Sequence, residues 1–234
     1  MTRILITGAS GLLGHGLAAA LTAHDGSNNV LREGNEFHVA GRHQAPAWAG
    51  LADWHPLDLA RAGELEALLG ELQPQLLIHA AAISSLQECE QQPEQCWRVN
   101  SNCLAEVGTA TNTRILLIST DQVFSGDADC YYEDSKPAPL HSYGESKLGA
   151  ETMVLAPEFP LEMPGLVARI PLLLGPRAFS GKVGADTSIR EQLEQGQSPS
   201  LFVDEIRSPL SARAAATGIW LLAARALASP ELAG

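Results

Sequence analysis

Three evenly spaced glycines directly after a short apolar run constrain the fold of this chain more than any other feature. Residues 4–14 read Ile-Leu-Ile-Thr-Gly-Ala-Ser-Gly-Leu-Leu-Gly. The apolar run is too short for a helix, whereas residues 12–21 carry leucines and alanines at helical spacing. The glycines therefore stand where a strand passes into a helix. Gly8 can take the positive φ of a tight turn, Gly11 admits a phosphate, and Gly14 admits close packing of the helix.

This turn predicts a binding site for the pyrophosphate of a dinucleotide. A helix N-terminus offers unpaired N–H donors and about half a positive charge, so it attracts an anion without a basic side chain. Glycines also collect in turns that bind nothing, and the triplet alone leaves that alternative open. The residues expected to contact the dinucleotide here are Gly8, Ser10, Gly11, Leu12, Leu13 and Gly14.

Further strand-like runs alternate with helical patterns along the chain. They centre on Phe37, Trp54, Leu76 and Leu116. Such alternation predicts an α/β fold with a doubly wound parallel sheet, the Rossmann fold, in which ligands bind at the carboxyl ends of the strands. We expect residues 1–170 to form this dinucleotide-binding domain and residues 171–234 to form a small substrate-binding lobe packed on it.

The end of the second strand, at Arg42, predicts which dinucleotide binds, because such a fold reads the adenosine ribose there. An acidic residue would bind the 2′-hydroxyl of NAD, whereas the guanidinium of Arg42 can pair with the 2′-phosphate of NADP. We therefore expect NADP, with NADPH bound more tightly than NADH; a solvated loop arginine is the alternative. After the fourth strand, small side chains leave room for the cofactor at Ala80, Ala81 and Ala82. His79 is expected to be a packed histidine.

A tyrosine and a lysine four residues apart have the spacing of acid–base chemistry. The proline-rich residues 137–139 precede Ser142, which forms a capping box with Glu145 and predicts a helix start. Tyr143 then lies in the first turn. Lys147 follows on the same face, where its ammonium can stabilise a phenolate. An ordinary pair on a helix surface is the alternative.

Together these motifs resemble those of a known family. The glycine turn has the spacing Gly-x-x-Gly-x-x-Gly of extended short-chain dehydrogenases/reductases, and residues 118–126 and 143–151 resemble the dTDP-4-dehydrorhamnose reductases among them. The resemblance implies that a hydride passes from NADPH to a ketone. Tyr143 would donate the proton, Lys147 would lower the tyrosine pKa and hold the nicotinamide ribose, and Thr120 would hydrogen-bond the carbonyl oxygen.

The resemblance covers about residues 3–213 and implies further roles. The related dehydratases carry an acid where this chain has Gln122, which cannot protonate a leaving hydroxyl. Asp58 stands where the family contacts the adenine, although it could equally cap a helix over residues 60–72. The other implied cofactor contacts are Leu59, Asn100 and Ile170. Three basic residues could meet a substrate diphosphate or be surface charges, namely Arg177, Lys182 and Arg207.

Charge, composition and cysteine spacing argue against several kinds of partner and binding site. A net charge of −12 in 234 residues opposes binding to nucleic acid or an anionic membrane, and no apolar stretch reaches the ~18 residues of a membrane span. The N-terminus shows no signal peptide, so we expect a cytoplasmic protein. Cys89, Cys96 and Cys103 recur every seven residues along a helix predicted over residues 88–111. We therefore expect buried thiols rather than a disulfide or a metal site.

Two functions remain open from the sequence. The first is an NADP-dependent reductase of a sugar nucleotide or a similar small carbonyl compound. The second is a non-catalytic NADP-binding subunit, similar to the regulatory subunit of methionine adenosyltransferase, which also resembles these reductases. The presence of Thr120, Tyr143 and Lys147 favours the reductase. The short lobe predicted over residues 171–234 favours the non-catalytic subunit. The resemblance also implies a homodimer through the helices at residues 88–111 and 143–155.

Overall fold

A six-stranded parallel sheet forms the centre of the molecule. The computed structural model describes residues 2–22, 34–107, 113–156, 164–175, 185–201 and 203–229. The strands are β1 Thr2–Thr7, β2 Asn35–Gly41, β3 Asp53–Pro56, β4 Leu76–His79, β5 Arg114–Thr120 and β6 Leu166–Ile170. They pair in parallel in the order β3-β2-β1-β4-β5-β6, which is the doubly wound order of the Rossmann fold. The predicted fold class is confirmed.

Helices cover both faces of this sheet. They are α1 Leu12–Thr22, α2 Glu64–Leu72, α3 Leu86–Gln91, α4 Pro93–Asn100, α5 Ser142–Leu155, α6 Ala185–Glu194 and α7 Ala212–Ala228. Short 3₁₀ segments cover Pro46–Trp48, Asn102–Glu106 and Asp121–Val123, and a separate parallel pair joins β7 Leu173–Leu174 to β8 Leu210–Ser211. Helices α1 and α7 pack on one face of the sheet, and α2 and α5 on the other. Within the described ranges, no helix has both the length and the apolar character needed to cross a bilayer.

Helix α7 completes the core on its face of the sheet. The fully buried Trp220 meets Phe37 of β2 edge-on, with ring centroids 5.6 Å apart, and its indole N–H donates to the Leu17 carbonyl at 3.0 Å. A Cβ on Gly16 of α1 would clash with the Ala212 backbone, so the two helices touch closely there. Helix α7 thus shares one core with β1, β2 and α1. The division of the chain at residue 170 stays a prediction.

A buried arginine ties the end of α7 to the sheet. Arg114, the first residue of β5, is 1% exposed. Its guanidinium donates to the Pro164 carbonyl at 3.1 Å, to the Ser229 carbonyl at 2.9 Å and to the Ala226 carbonyl. The last carbonyls of a helix have no partner within the helix and carry partial negative charge. Arg114 therefore caps the C-terminal end of α7 from inside the core.

The helix expected over residues 60–72 begins later than predicted. It starts at Glu64, directly after Gly63, whose φ of +84° interrupts the chain. Asp58 is therefore too far from the helix to cap it. Its carboxylate instead accepts from the Ala60 N–H at 3.1 Å, while its own N–H donates to Glu64 at 2.8 Å. The capping alternative for Asp58 is wrong.

The helix expected over residues 88–111 is divided, and the division changes the cysteine prediction. Pro93 cannot continue α3 and instead begins α4, and a 3₁₀ segment follows. The break brings the Cα atoms of Cys89 and Cys96 to 5.2 Å, and the two residues form a disulfide. Seven residues of continuous helix would separate them by about 10 Å. The prediction of free thiols is wrong for this pair and confirmed for the buried Cys103, whose pKa burial raises to about 12.

Candidate active site

A cavity of about 450 Å³ opens along the carboxyl ends of the strands, where this fold places its ligands. It begins beside the glycine turn after β1 and extends to the ends of β5 and β6. The predicted site residues that line it are Gly8, Ser10, Gly11, Leu12, Leu13, Arg42, Asp58, Leu59, Ala80, Ala81, Ala82, Thr120, Tyr143, Lys147, Ile170 and Arg207. Gly14 and Asn100 are not among its lining residues. Arg177 and Lys182 lie outside the described part of the chain.

The glycine turn brings bare backbone to the wall of the cavity. Gly8 has a φ of +76°, and a Cβ there would lie 2.6 Å from the Ala80–Ala81 peptide of the neighbouring strand end. The Gly11 N–H donates to the Gly8 carbonyl at 3.0 Å and closes the turn. A Cβ on Gly14 would clash with the Ala9 backbone, so Gly14 packs against its own turn. The first turn of α1 carries no acidic residue, and an anion there meets no like charge.

A buried threonine–histidine pair fixes the end of β4 beside this turn. The Thr7 hydroxyl accepts from the Ala81 N–H at 3.3 Å and lies 3.1 Å from Nδ1 of His79. Burial, together with the charge of Lys147, lowers the pKa of His79 to about 3, so the imidazole is neutral. His79 is therefore the packed histidine that the sequence predicted, and it helps to hold the Ala80–Ala82 wall in place.

Tyr143 lies at the start of α5, as predicted, but a different residue caps the helix. The N-cap is His141, whose Nδ1 accepts from the Gly144 N–H at 3.1 Å, so the predicted capping box on Ser142 is wrong. A Cβ on Gly144 would clash with the Gln122 carbonyl. The start of α5 is therefore packed directly on the 3₁₀ segment that follows β5. Tyr143 is thereby placed beside Thr120, the last residue of β5.

Tyr143 is held in its protonated form. Burial raises the pKa of its phenol to about 12, and the negative charge of Asp121 acts in the same direction. A hydrogen bond with the Thr120 side chain and the positive charge of Arg207 act to lower the pKa. Lys147 is not among the groups that shift it. The phenol therefore carries a proton at neutral pH and can donate it.

Lys147 presents a buried ammonium to the cavity. The residue is 1% exposed, and its Nζ has no hydrogen-bond partner among the described residues. Burial lowers the pKa of Lys147 to about 8, while Glu151 acts to raise it. An unpaired buried cation is costly, and one that lines a cavity is satisfied by a ligand with oxygen acceptors.

An ion pair that the sequence did not predict stands at the substrate end. The Arg207 guanidinium donates to both carboxylate oxygens of Asp121, at 2.8 and 2.9 Å, and to Glu205 at 2.9 Å. Burial tends to lower the pKa of Arg207, but the two carboxylates raise it overall. Asp121 and Arg207 both line the cavity. Arg207 is therefore neither a solvated surface charge nor a free cation.

Asn100 lies outside the cavity lining and hydrogen-bonds two segments that border the site. Its amide accepts from the Ile83 N–H at 2.8 Å and donates to the Ile83 carbonyl at 3.0 Å and the Ser146 hydroxyl at 3.0 Å. The side chain is fully buried. It therefore links the segment after β4 to helix α5, which carries Tyr143 and Lys147, and its predicted contact with a cofactor stays a prediction.

Two unpaired polar atoms lie beside Thr120, and the sequence reasoning did not assign them to a ligand. Ser119 Oγ and Gln122 Oε1 are buried without a hydrogen-bond partner among the described residues, and both residues line the cavity. The motif at residues 118–126 contains both of them. Ser84 and Gln95 also line the cavity and no sequence motif marked them, whereas Val99, another lining residue, directly precedes the predicted contact Asn100.

Comparison with known proteins identifies the family. The RmlD substrate binding domain family matches the chain over residues 1–234. The chain belongs to that family. The crystal structure of the dTDP-4-dehydrorhamnose reductase of Bacillus anthracis in complex with NADP is similar, with a TM-score of 0.68 and 26% identity over 95% of this chain and 71% of that one. The predicted resemblance to dTDP-4-dehydrorhamnose reductases is confirmed.

Curated relatives of this RmlD family chain include proteins of two different kinds. The probable low-salt glycan biosynthesis reductase Agl14 of Haloferax volcanii is 29% identical over 218 residues, which are 91% of this chain and 67% of that protein. The beta subunit of methionine adenosyltransferase 2 from Xenopus laevis is 34% identical over 156 residues, 65% of this chain and 42% of that protein. The chain thus spans about two thirds of the first relative and less than half of the second.

Proposed function

We propose that this RmlD family chain is an NADP-dependent reductase that converts a keto group of a sugar nucleotide into a hydroxyl group. The observation that carries the proposal is the buried, unpaired ammonium of Lys147 beside Tyr143 and Thr120, in a cavity that starts at the glycine turn. A lysine in a purely structural role would be paired or would reach solvent. This one is oriented for a ligand.

The residues present fit NADP. The tight turn at Gly8 has no room for a Cβ beside the Ala80–Ala81 peptide, and the helix N-terminus that follows it supplies N–H donors for a pyrophosphate. Arg42 is exposed at the cavity wall and makes no ion pair with a described residue, so it is available for a 2′-phosphate. Lys147 would hold ribose hydroxyls at the other end. Preference for NADPH over NADH is part of the proposal.

Once bound, the cofactor supplies the hydride, and the chain handles the oxygen of the reacting carbonyl. The phenol of Tyr143 donates its proton to that oxygen as negative charge develops on it. The single proton of the Thr120 hydroxyl is donated to Asp121 at 3.2 Å in the structure, and turned toward the substrate it would donate a second hydrogen bond to the carbonyl oxygen. The ammonium of Lys147 lies one helical turn away on the same face but does not shift the pKa of Tyr143, so its proposed part in the reaction is to hold the ribose.

The substrate end favours reduction over dehydration. Gln122 lines the cavity beside Thr120 and offers an amide oxygen, which accepts a hydrogen bond but has no proton for a leaving hydroxyl. With Ser119 it provides unpaired polar atoms for the hydroxyl groups of a sugar. Arg207, held by Asp121, would meet a diphosphate through donors left over from that pair. Arg177 and Lys182 remain predicted contacts to the same group.

A second candidate function rests on the methionine adenosyltransferase relatives. Their beta subunits align with most of this chain at up to 34% identity. In that case the cavity would bind NADP, and the chain would regulate a partner without turnover. Cytoplasmic location and a homodimer through residues 88–111 and 143–155 stay predictions under either function.

One experiment separates the two functions. The purified chain is incubated with NADPH and a panel of 4-keto sugar nucleotides, and NADPH oxidation is followed by absorbance. In parallel, a methionine adenosyltransferase catalytic subunit is tested for co-purification with the chain. We expect oxidation with at least one 4-keto sugar nucleotide and no complex. A stable complex without oxidation of NADPH by any member of the panel would contradict the reductase proposal.

A further inference from the structure

A second cluster of ligand-type side chains lies away from the cavity, on strands β2 and β3. Glu36 and His38 alternate along β2 and so project from the same face of the sheet. Asp53 stands directly opposite His38 in the parallel register, and His55 follows two residues later on the same face. None of the four lines the cavity. Because β3 is the last strand of the sheet order, the cluster lies at the sheet edge.

Three of these side chains converge closely enough to share an ion. One ligand atom from each of Glu36, His38 and Asp53 lies within 4.8 Å of the other two. Metal–ligand bonds of about 2.1 Å allow two ligands of one ion to stand up to about 4.2 Å apart. Asp53 is exposed and Glu36 half-buried, so a small rotation of either carboxylate closes the difference.

His38 is the buried anchor of the cluster, with one ring nitrogen occupied and the other unpaired. The residue is 5% exposed. Its Nδ1 lies 3.0 Å from Nε2 of His55, within hydrogen-bond distance. Its Nε2 is buried, makes no hydrogen bond with a described residue, and stands 3.4 Å from Oε1 of Glu36. A metal-binding histidine is arranged in this way, since its second nitrogen is held by a neighbour that orients the ring.

The charges around His38 also favour a bound cation. Two carboxylates, Glu36 and Asp53, face the imidazole from β2 and β3. On β1, the residue opposite Glu36 is Arg3, whose guanidinium donates to the Leu72 carbonyl at the end of α2. Because this guanidinium is directed elsewhere, the two carboxylates and the imidazole nitrogen share no positive partner among the residues that the structure describes.

We propose that Glu36, His38 and Asp53 bind a divalent transition-metal ion, with His55 holding the His38 ring in place. The mixed set of one imidazole and two carboxylates fits Zn²⁺ better than Mg²⁺ or Ca²⁺, which take oxygen ligands. Arg42 follows the end of β2 at Gly41 and lies four residues beyond His38, or about 13 Å along an extended chain. The ion therefore does not reach the nucleotide proposed at Arg42. It joins the edge strand β3 to β2 and steadies the strand that leads to Arg42.

Calorimetric titration of Zn²⁺ into the full chain, purified without a histidine tag and freed of metal with a chelator, tests the site. We expect one Zn²⁺ per chain and a higher midpoint of thermal unfolding with the ion bound. Glu36→Gln and Asp53→Asn each keep the side-chain shape and should weaken Zn²⁺ binding about tenfold or more. The matched control Glu71→Gln, an exposed carboxylate of α2, should bind Zn²⁺ as the unchanged chain does.

A second measurement identifies the imidazole as a ligand. Co²⁺ replaces Zn²⁺, and its visible absorption reports nitrogen ligation and coordination geometry. We expect the Co²⁺ spectrum to change in His55→Gln, which leaves the three ligands in place but removes the ring that orients His38. Equal Zn²⁺ affinity in the Glu36→Gln, Asp53→Asn double variant and the unchanged chain would overturn the proposal. So would Mg²⁺ displacing Zn²⁺ at equal concentration.

Discussion

The two ends of the cavity are built in different ways. At the glycine end, the wall is backbone and small side chains, and a Cβ added at Gly8 would clash with the Ala80–Ala81 peptide. At the other end, near Tyr143, the wall is made of buried polar side chains, and burial shifts the pKa values of Tyr143 and Lys147 in opposite directions. Under the proposed function, shape governs cofactor binding at the first end, and electrostatics governs proton transfer at the second. Substitutions at the two ends should affect different measured quantities.

The largest effect is expected from Tyr143→Phe, which removes the phenol hydroxyl and keeps the aromatic ring. Loss of a general acid typically lowers the rate by ~10² to 10⁴, so kcat should collapse. The Kd for NADPH should stay within a few-fold of the original, because the glycine end is untouched. Turnover is measured with whichever ketone the substrate panel identifies, and NADPH binding by fluorescence titration. Turnover at the original rate would show that Tyr143 is a packing residue.

Lys147→Met should affect NADPH binding and turnover together. The ammonium is proposed to hold the nicotinamide ribose beside Tyr143, so its loss should weaken NADPH binding and, by misplacing the cofactor, lower kcat by about 10². Methionine fills a similar volume without a charge, so the fold should persist, which circular dichroism checks. A variant that loses turnover but binds NADPH with unchanged Kd would restrict Lys147 to the chemical step.

Arg42→Ala should affect the glycine end alone and only for one cofactor. A charge-assisted hydrogen bond to the 2′-phosphate is worth ~1.5 to 3 kcal/mol, so the Kd for NADPH should rise by about tenfold to a hundredfold. The Kd for NADH, which lacks that phosphate, should barely change. Titration of both cofactors into both proteins gives the comparison. Equal losses for the two would mean that Arg42 does not distinguish them.

The smallest effect is a pH dependence from the end near Tyr143. With a pKa of about 8 in the free protein, Lys147 carries its positive charge below that pH and loses it as the pH rises. The proposed roles need the charged form, so kcat/KM for NADPH should be flat near pH 7 and fall about tenfold per unit well above pH 8. Tyr143, with a pKa of about 12, stays protonated throughout that range. The profile of Lys147→Met is the control and should lack this fall.

The sequence could predict those parts of the site that depend on residues close to one another in the chain. The glycine turn, Tyr143 and Lys147 each depend on residues within a few places of one another, and spacing is enough to identify them. The start of α5 shows the limit even at short range. Ser142 has the sequence of a capping residue, but His141 takes that role because its imidazole reaches the Gly144 N–H.

The sequence could not predict contacts that depend on how the backbone turns between two residues. Asp121 and Arg207 are 86 residues apart, and nothing in either motif indicates that they form a bidentate pair. The Cys89–Cys96 disulfide depends on a helix break at Pro93 that reverses the usual meaning of a seven-residue spacing. In each case a change in backbone direction, rather than residue type, decides which side chains meet.

The cap that Arg114 places on α7 has a consequence for synthesis of the protein. The contact from Arg114 to Ala226 spans 112 residues, and that to Ser229 spans 115. On a ribosome, strand β5, the neighbour of the edge strand β6, emerges long before the Arg114 guanidinium has these acceptors to meet. A hydrogen bond to a charged group contributes about 1.5 to 3 kcal/mol, a large part of the 5 to 15 kcal/mol that stabilises a typical domain. Until residue 229 has been released, Arg114 cannot make these bonds, and α7 lacks the cap on its C-terminal end.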